Sequence, residues 1–403
     1  MANSLSAGFI EVWAKEYQTV WHKMNVAKMI TDLSFNSQLR KGDTLQRVYR
    51  STDPNDPQID SYSRGSDITI QDITDTAETL VINDEFAKGF YIDDFDALQS
   101  NYDQAAAYGR DNAVLLSNKC DADVLVEYQN ATSTVDDGDV GGTDGNGITL
   151  TTSNVLDVVS SAKKKLRKLN IPQEELFGVI SPEFEEILVQ YGAGRDTRGG
   201  DEYNRNGYMR DFYGFKLYVS NNLAGSAVLA LATNPTADDT VSVNGVTFTF
   251  KVAPAAAGEV DIGADADGSR ANLAAAINGG AGAGSDYIEV STSDRRKLLN
   301  VTATNDDTAN TLTVVQGGAG VITVAETLTD ATDEWTTALE KQHCLFGSRG
   351  GVTMVMQRTP FIKLQDAQKR FGRYVLNGSL YGIKTFNDGA DKLVNVELAS
   401  STF

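Results

Sequence analysis

Apolar positions change their period several times along the 403-residue chain. Phe9, Trp13, Tyr17, Val20, Trp21 and Met24 recur at spacings of three and four, with Glu11, Lys15, Glu16 and Lys23 between them. That spacing predicts an amphipathic helical arm, Phe9 to Ile30, whose tryptophans need cover from elsewhere. From Gly42 to Phe95 the period falls to two. Thr44, Gln46 and Val48 lead into Ser51–Pro57, where Pro and Asp favour tight turns, and Ile68, Ile70, Ile73 and Leu80–Ile82 alternate with polar residues. A two-stranded excursion of this kind has little core of its own and makes sense lying on a neighbouring molecule. A helical stripe then runs through Ala105, Tyr108, Val114, Leu115, Asn118, Ala122, Leu125 and Tyr128, with Asp94 or Asp96 as its cap. Unbroken from Ala97 to Gln129, it would approach about 50 Å at about 1.5 Å per residue.

A polar Gly/Asp loop, Asp136 to Gly147, leads into a compact α/β section. Val155, Leu156, Val159, Ala162, Leu166 and Leu169 form a helix face, Phe177–Ser181 reads as a strand, and Pro182 suits the first turn of a helix reaching Gln190. A Gly/Arg/Asp-rich loop, Gly192 to Asn206, precedes a strand over Phe215–Ser220. Residues 235–340 then shift to Ala, Gly, Thr and Asp. Sixteen acidic residues against five basic ones give this quarter of the chain a local net charge of −11, of −20 overall. Its pattern is a hairpin about Asn244-Gly245, a helix near Ser269–Ile277, and strands at Tyr287–Val290, Leu299–Ala303, Leu312–Val315 and Val321–Val324. It reads as a self-contained module inserted into a host domain that resumes with Val352–Met356, Arg358–Tyr374 and Leu380–Leu398.

The apolar fraction of 41% and charged fraction of 22% are those of a folded chain. The negative charge argues against sequence readout of DNA by bulk electrostatics. Cys120 and Cys344 are too few for a disulfide framework, and the opening residues lack a signal-peptide pattern, so folding inside the cell is expected. The longest uncharged stretch, Leu217–Ala237, is interrupted by Asn and Pro, and no membrane association is expected. Chemistry has little material. His22 stands alone, and His343 and Cys344 are neighbours in sequence, which points their side chains apart. No phosphate loop, nucleophile elbow or dinucleotide fingerprint occurs. Asp261–Gly268 hints at calcium, but Gly263 and Ala274 occupy the first and twelfth ligand places of the loop template, so a solvated turn is the better reading. No catalytic residue, metal or cofactor is therefore assigned. Lys163–Lys168 is the one dense basic run; it reads as a solvated helix face, with an acidic partner or packaged nucleic acid as the alternative.

The order of parts, together with the stretches Gly214–Leu223 (GFKLYVSNNL), Leu345–Gln357 (LFGSRGGVTMVMQ) and Tyr374–Lys384 (YVLNGSLYGIK), resembles the major capsid proteins of tailed bacteriophages. Thr240–Phe250 and Asn272–Asn278 are similar to a module found in several phage virion proteins. The resemblance implies an α+β chain with the Hong Kong phage-type capsid fold. Its parts would be an N-terminal arm (1–40), an extended β-loop (41–92), a spine helix with the peripheral domain (93–147), an axial domain (148–233), an inserted acidic surface domain (234–340) and a return to axial and peripheral strands (341–403). It implies a non-enzymatic structural protein of the virion, assembled in the host cytoplasm into an icosahedral head of hexamers and pentamers around double-stranded DNA. Expected partners are further copies of the chain, a separate scaffolding protein, a portal and a decoration protein. Relatives that cross-link use a loop Lys; here Lys41 and Lys88 lie only at the loop's base, which argues against covalent linkage. Candidate assembly contacts are Phe9, Trp13, Tyr17 and Trp21 on the arm and Tyr62, Arg64, Ile68 and Ile70 on the loop. The alternatives are an encapsulin-type compartment or another virion part, such as a tail tube or adhesin.

Overall fold

The computed structural model describes residues 25–37, 39, 42–50, 62–65, 67, 75–99, 104–194 and 211–400. The predicted arm therefore lies outside the described residues up to residue 24. Its end, a single turn α1 (Ala27–Ile30), is covered by its own chain: Val26, Ala27 and Ile30 are buried in the main core. Strands β1 (Thr44–Arg50) and β2 (Asp75–Val81) pair antiparallel along their whole length, and β3 (Asp84–Asp93) follows. The predicted continuous helix is described as two, α2 (Asp94–Gln99) and α3 (Gln104–Val126), with a 3-10 turn at Glu127–Asn130. The 23 residues of α3 span about 34 Å at about 1.5 Å each, and residues 100–103 between the two lie outside the described residues.

Next come β4 (Ser133–Val135), α4 (Val155–Lys168), β5 (Leu176–Ile180), α5 (Pro182–Ala193), β6 (Asp211–Phe212), β7 (Phe215–Val219) and β8 (Ala224–Ala230). Ser181 caps α5 by accepting from the Phe184 N–H at 3.2 Å, ahead of Pro182 in the first turn. The acidic segment contributes β9 (Thr240–Val243), β10 (Val246–Lys251), β11 (Glu259–Asp261), α6 (Ala266–Asn278), α7 (Thr292–Lys297), β12 (Val301–Asp306), β13 (Thr311–Gln316) and β14 (Val324–Thr327). Asn244 and Gly245 take φ of 52° and 71°, the left-handed pair that an Asn-Gly hairpin requires. The expected strand at Tyr287–Val290 is absent as such: Tyr287 makes isolated bridges to Val260 and Ala283, and its ring is buried with Val241, Phe248, Phe250, Leu273 and Ile277. The chain closes with β15 (Lys341–Ser348), β16 (Thr353–Asp366), β17 (Gly372–Lys384), α8 (Asn387–Ala390) and β18 (Leu393–Ala399).

Three sheets organise these elements around the two-stranded β1–β2 ribbon. A nine-stranded sheet is forked at β15. One edge of β15 is taken by β18, from Lys341↔Ala399 to Gly347↔Leu393, and β4 continues beyond it. Its other edge pairs β8 at Lys341–His343 and β5 at Leu345–Ser348. One branch runs β8–β13–β12 into the acidic segment and the other β5–β7–β6, while α4 packs on β18 and β4. The acidic segment is thus continuous with the host sheet through β8, whose Ala224 belongs to the main core while Ala227 and Leu229 belong to the segment's own core. Gly225 is obligatory at the fork, because a Cβ there would stand 2.7 Å from the Gly320 carbonyl oxygen. The segment's second sheet has the order β11–β10–β9–β14. Finally β3, β17 and β16 form a three-stranded sheet crossed by α3. The Gly109 carbonyl of α3 accepts from Asn377 at 3.0 Å, and Asp123 accepts from the Tyr381 hydroxyl at 2.7 Å. No described helix is long and apolar enough to cross a membrane.

Candidate assembly surfaces

The base of the arm is held by one buried carboxylate. Asp121 on α3 accepts from the backbone N–H groups of Val26 at 2.8 Å and Ala27 at 2.6 Å through Oδ1, and from Asn222 Nδ2 at 2.8 Å through Oδ2. Burial raises its carboxyl above the usual range, while these donors and Ser220 pull the other way. Asn25 adds bonds to the Ser117 carbonyl and hydroxyl at 2.8 and 3.0 Å. The arm base, α3 and the turn after β7 are therefore pinned at one point.

Among the described residues the β1–β2 ribbon is anchored at its root and, through Arg47 and Glu78, to α8. Leu80, Ile82, Leu39, Val355 and Phe386 form a small separate core, and Arg47 pairs with Asp388 at 2.8 Å. Farther along, Val48 is 65% exposed. Of the sequence-selected loop residues, Tyr62 and Arg64 are exposed; Phe9, Trp13, Tyr17, Trp21, Ile68 and Ile70 lie outside the described residues. Sequence periodicity did not single out a further apolar surface on the three-stranded sheet. Phe95 packs edge-on against Phe371, Tyr91 lies beside Tyr374, and Leu376 covers Gly89. Phe371 is 72% exposed and Leu98 82%.

The groups weighed for chemistry serve the fold. His343 is buried, stacked on Tyr128 at 3.8 Å, with Nε2 2.8 Å from Ser226 Oγ and Nδ1 3.1 Å from Asn395 Oδ1. Burial holds the imidazole neutral, its pKa pushed down to about 3. Cys344 is equally buried and its thiol is pushed up to about 12. In the acidic segment, Asp265 caps α6 through the Gly268 N–H at 2.9 Å and Asp267 pairs with Arg270, so the string considered for calcium is engaged internally. Among the described residues no group of three or more His, Cys, Asp or Glu is arranged to hold a metal ion. On α4, Lys165 turns inward to Asp139 and the Thr134 carbonyl, whereas Lys164, Arg167 and Lys168 are exposed.

A family model described as "Phage capsid protein" matches residues 76–254, from β2 into β10. No curated protein matches the chain. Among solved structures, one from Mycobacterium phage Che8 is similar with a TM-score of 0.58 at 16% identity, covering 97% of this chain and 98% of that one. The capsid structure of cyanophage P-SCSP1u aligns with a TM-score of 0.55 at 14% identity, over 99% and 95% of the two chains. The asymmetric unit of the mature capsid of bacteriophage PhiM1 gives 0.51 at 12% identity, over 97% and 92%. Over residues 76–254 the chain is similar to this phage capsid family, and along nearly its whole length it has the fold of these phage capsid structures.

Proposed function

We propose that copies of this chain assemble into hexamers and pentamers of a closed icosahedral shell that encloses double-stranded DNA. The observation that carries this reading is the likeness in fold to capsid structures across nearly the whole chain, not over one domain alone. The protein then acts by burying surface between copies and performs no catalysis. Obligate contacts of this kind bury about 2,000–5,000 Å² and have apolar centres. The arm (Phe9, Trp13, Tyr17, Trp21) and the loop (Tyr62, Arg64, Ile68, Ile70) supply those centres, and their overlap stabilises the shell without covalent links. A separate scaffolding protein, a portal and a decoration protein complete the head in the host cytoplasm. The division into arm, loop, peripheral, axial and inserted parts follows the same reading, with the acidic segment outward, where its charge does not oppose packaged DNA.

Deletion of residues 1–24 tests the arm's role. It leaves Asn25, Val26 and their bonds to α3 in place. The expected product is a folded, soluble subunit that sediments without shells. Particles of unchanged size and yield would refute it, and particles filled with protein and free of DNA would favour the compartment alternative.

A further inference from the structure

Two patches of opposite charge lie on different parts of the chain, one on α4 and one on the acidic segment. On α4, which packs on β18 and β4, Lys164, Arg167 and Lys168 lie on the solvent face. Lys163 joins them, donating to the Tyr213 carbonyl at 2.7 Å, and Lys216 on β7 is exposed nearby. Among the described residues Lys164 and Lys168 form no ion pair, and Arg167 meets only the neutral Gln173 at 3.3 Å. Asp157 is the one acid of α4, and Glu174 and Glu175 lie beyond its end. On the β8–β13–β12 branch, the start of α6, the β12–β13 turn and the end of β8 converge on the buried Arg270. It bonds Asp267, Asn305 and the Leu231 carbonyl and lies 4.0 Å from Asp307. Of the acids on these segments, Asp267 and Asp307 face Arg270, Asp265 caps α6, Asp306 closes the β12–β13 turn, and Asp330 is tied to Thr233 at 2.9 Å. One cation against five carboxylates on these segments leaves this end of the acidic segment net negative.

We infer that the cationic face of α4 on one copy docks against the acidic tip of the β8–β13–β12 branch on a second copy. This rests on the self-assembly proposed above. Among the described residues no ion pair joins the two patches within one chain. Between copies they make a head-to-tail contact, the kind that closes into rings when the rotation allows. Single exposed pairs contribute little, but opposed patches steer association, fix its register and disfavour wrong pairings. The contact is screened by salt, because the Debye length falls from about 10 Å at 0.1 M to about 3 Å at 1 M.

Charge reversal and compensation on the full-length chain, read by sedimentation velocity and light scattering, test the pairing. Lys164→Glu, Arg167→Glu and Lys168→Glu together should slow ring formation about tenfold or more. Thr308→Lys, Ala309→Lys and Ala331→Lys add cations to the acidic tip at exposed positions while leaving its carboxylates bonded, and should slow it similarly. The six changes combined should restore the rate to within about threefold of the original. Circular dichroism of each variant checks folding, and a salt series on the unaltered chain, expected to show slower assembly at high salt, tests the idea independently of any variant. Rings indifferent to salt and to both sets of changes, or no recovery in the combined variant, would overturn the pairing while leaving self-assembly intact. Loss of duplex DNA binding with unchanged rings would also overturn it, assigning the face to phosphate instead. A chain that remained monomeric would overturn both readings.

Discussion

Replacing Asp121 by Ala removes the acceptor shared by three segments. Three N–H donors, from Val26, Ala27 and Asn222, lose their partner at a site with no solvent exposure. A buried donor left unsatisfied costs about 1–3 kcal/mol, so the sum is roughly 3–6 kcal/mol after water enters the vacated space. Asp121→Asn keeps the shape and one acceptor oxygen, so its loss should be about half as large. Urea unfolding of the unassembled subunit measures both, as a lowered midpoint at unchanged slope. As a control, Asp139→Ala breaks the partly exposed Lys165 contact and should cost about 1 kcal/mol or less. An Asp121→Ala subunit within about 0.5 kcal/mol of the original would refute the claim that this carboxylate pins the arm base.

Two further outcomes follow from buried groups. His343 has a folded pKa of about 3 against an ordinary 6.5, so the unfolded chain takes up the proton first. Its contribution to stability is complete above about pH 6.5 and is lost as pH falls toward 3, roughly 2 kcal/mol by pH 5, and His343→Gln should flatten that limb of the stability–pH curve. Gly225→Ala forces a Cβ against the Gly320 backbone, which cannot yield as a side chain could. It should cost about 2 kcal/mol or more in thermal unfolding, and a neutral result would contradict the close approach at the fork.

Much of the element order was legible because burial on one face imposes a period. The Val155–Leu166 stripe became α4, Phe177–Ile180 became β5, and Asn244-Gly245 became the β9–β10 turn. The fork was not legible, since nothing local records that β8 and β5 share one edge of β15. The same limit hid the Asp121 staple. Its only trace is an acid set among Cys120, Ala122, Val124 and Leu125, all buried. Tyr287–Val290 mimicked a strand by alternation; Tyr287 is buried in the core and Val290 packs against its edge, but the segment makes only isolated bridges. The assembly residues were chosen as apolar positions lacking local cover. Tyr62 and Arg64 are exposed and the other six lie outside the described residues, and the aromatic face around Phe371 escaped that reasoning because β16 and β17 looked like core strands.

Electron microscopy of the purified full-length protein, produced together with its assembly partners, tests the central claim most directly. Closed shells whose reconstruction resolves into hexamers and pentamers of this one chain are the predicted result. Monomers that persist under those conditions, or open tubes in place of shells, would contradict it.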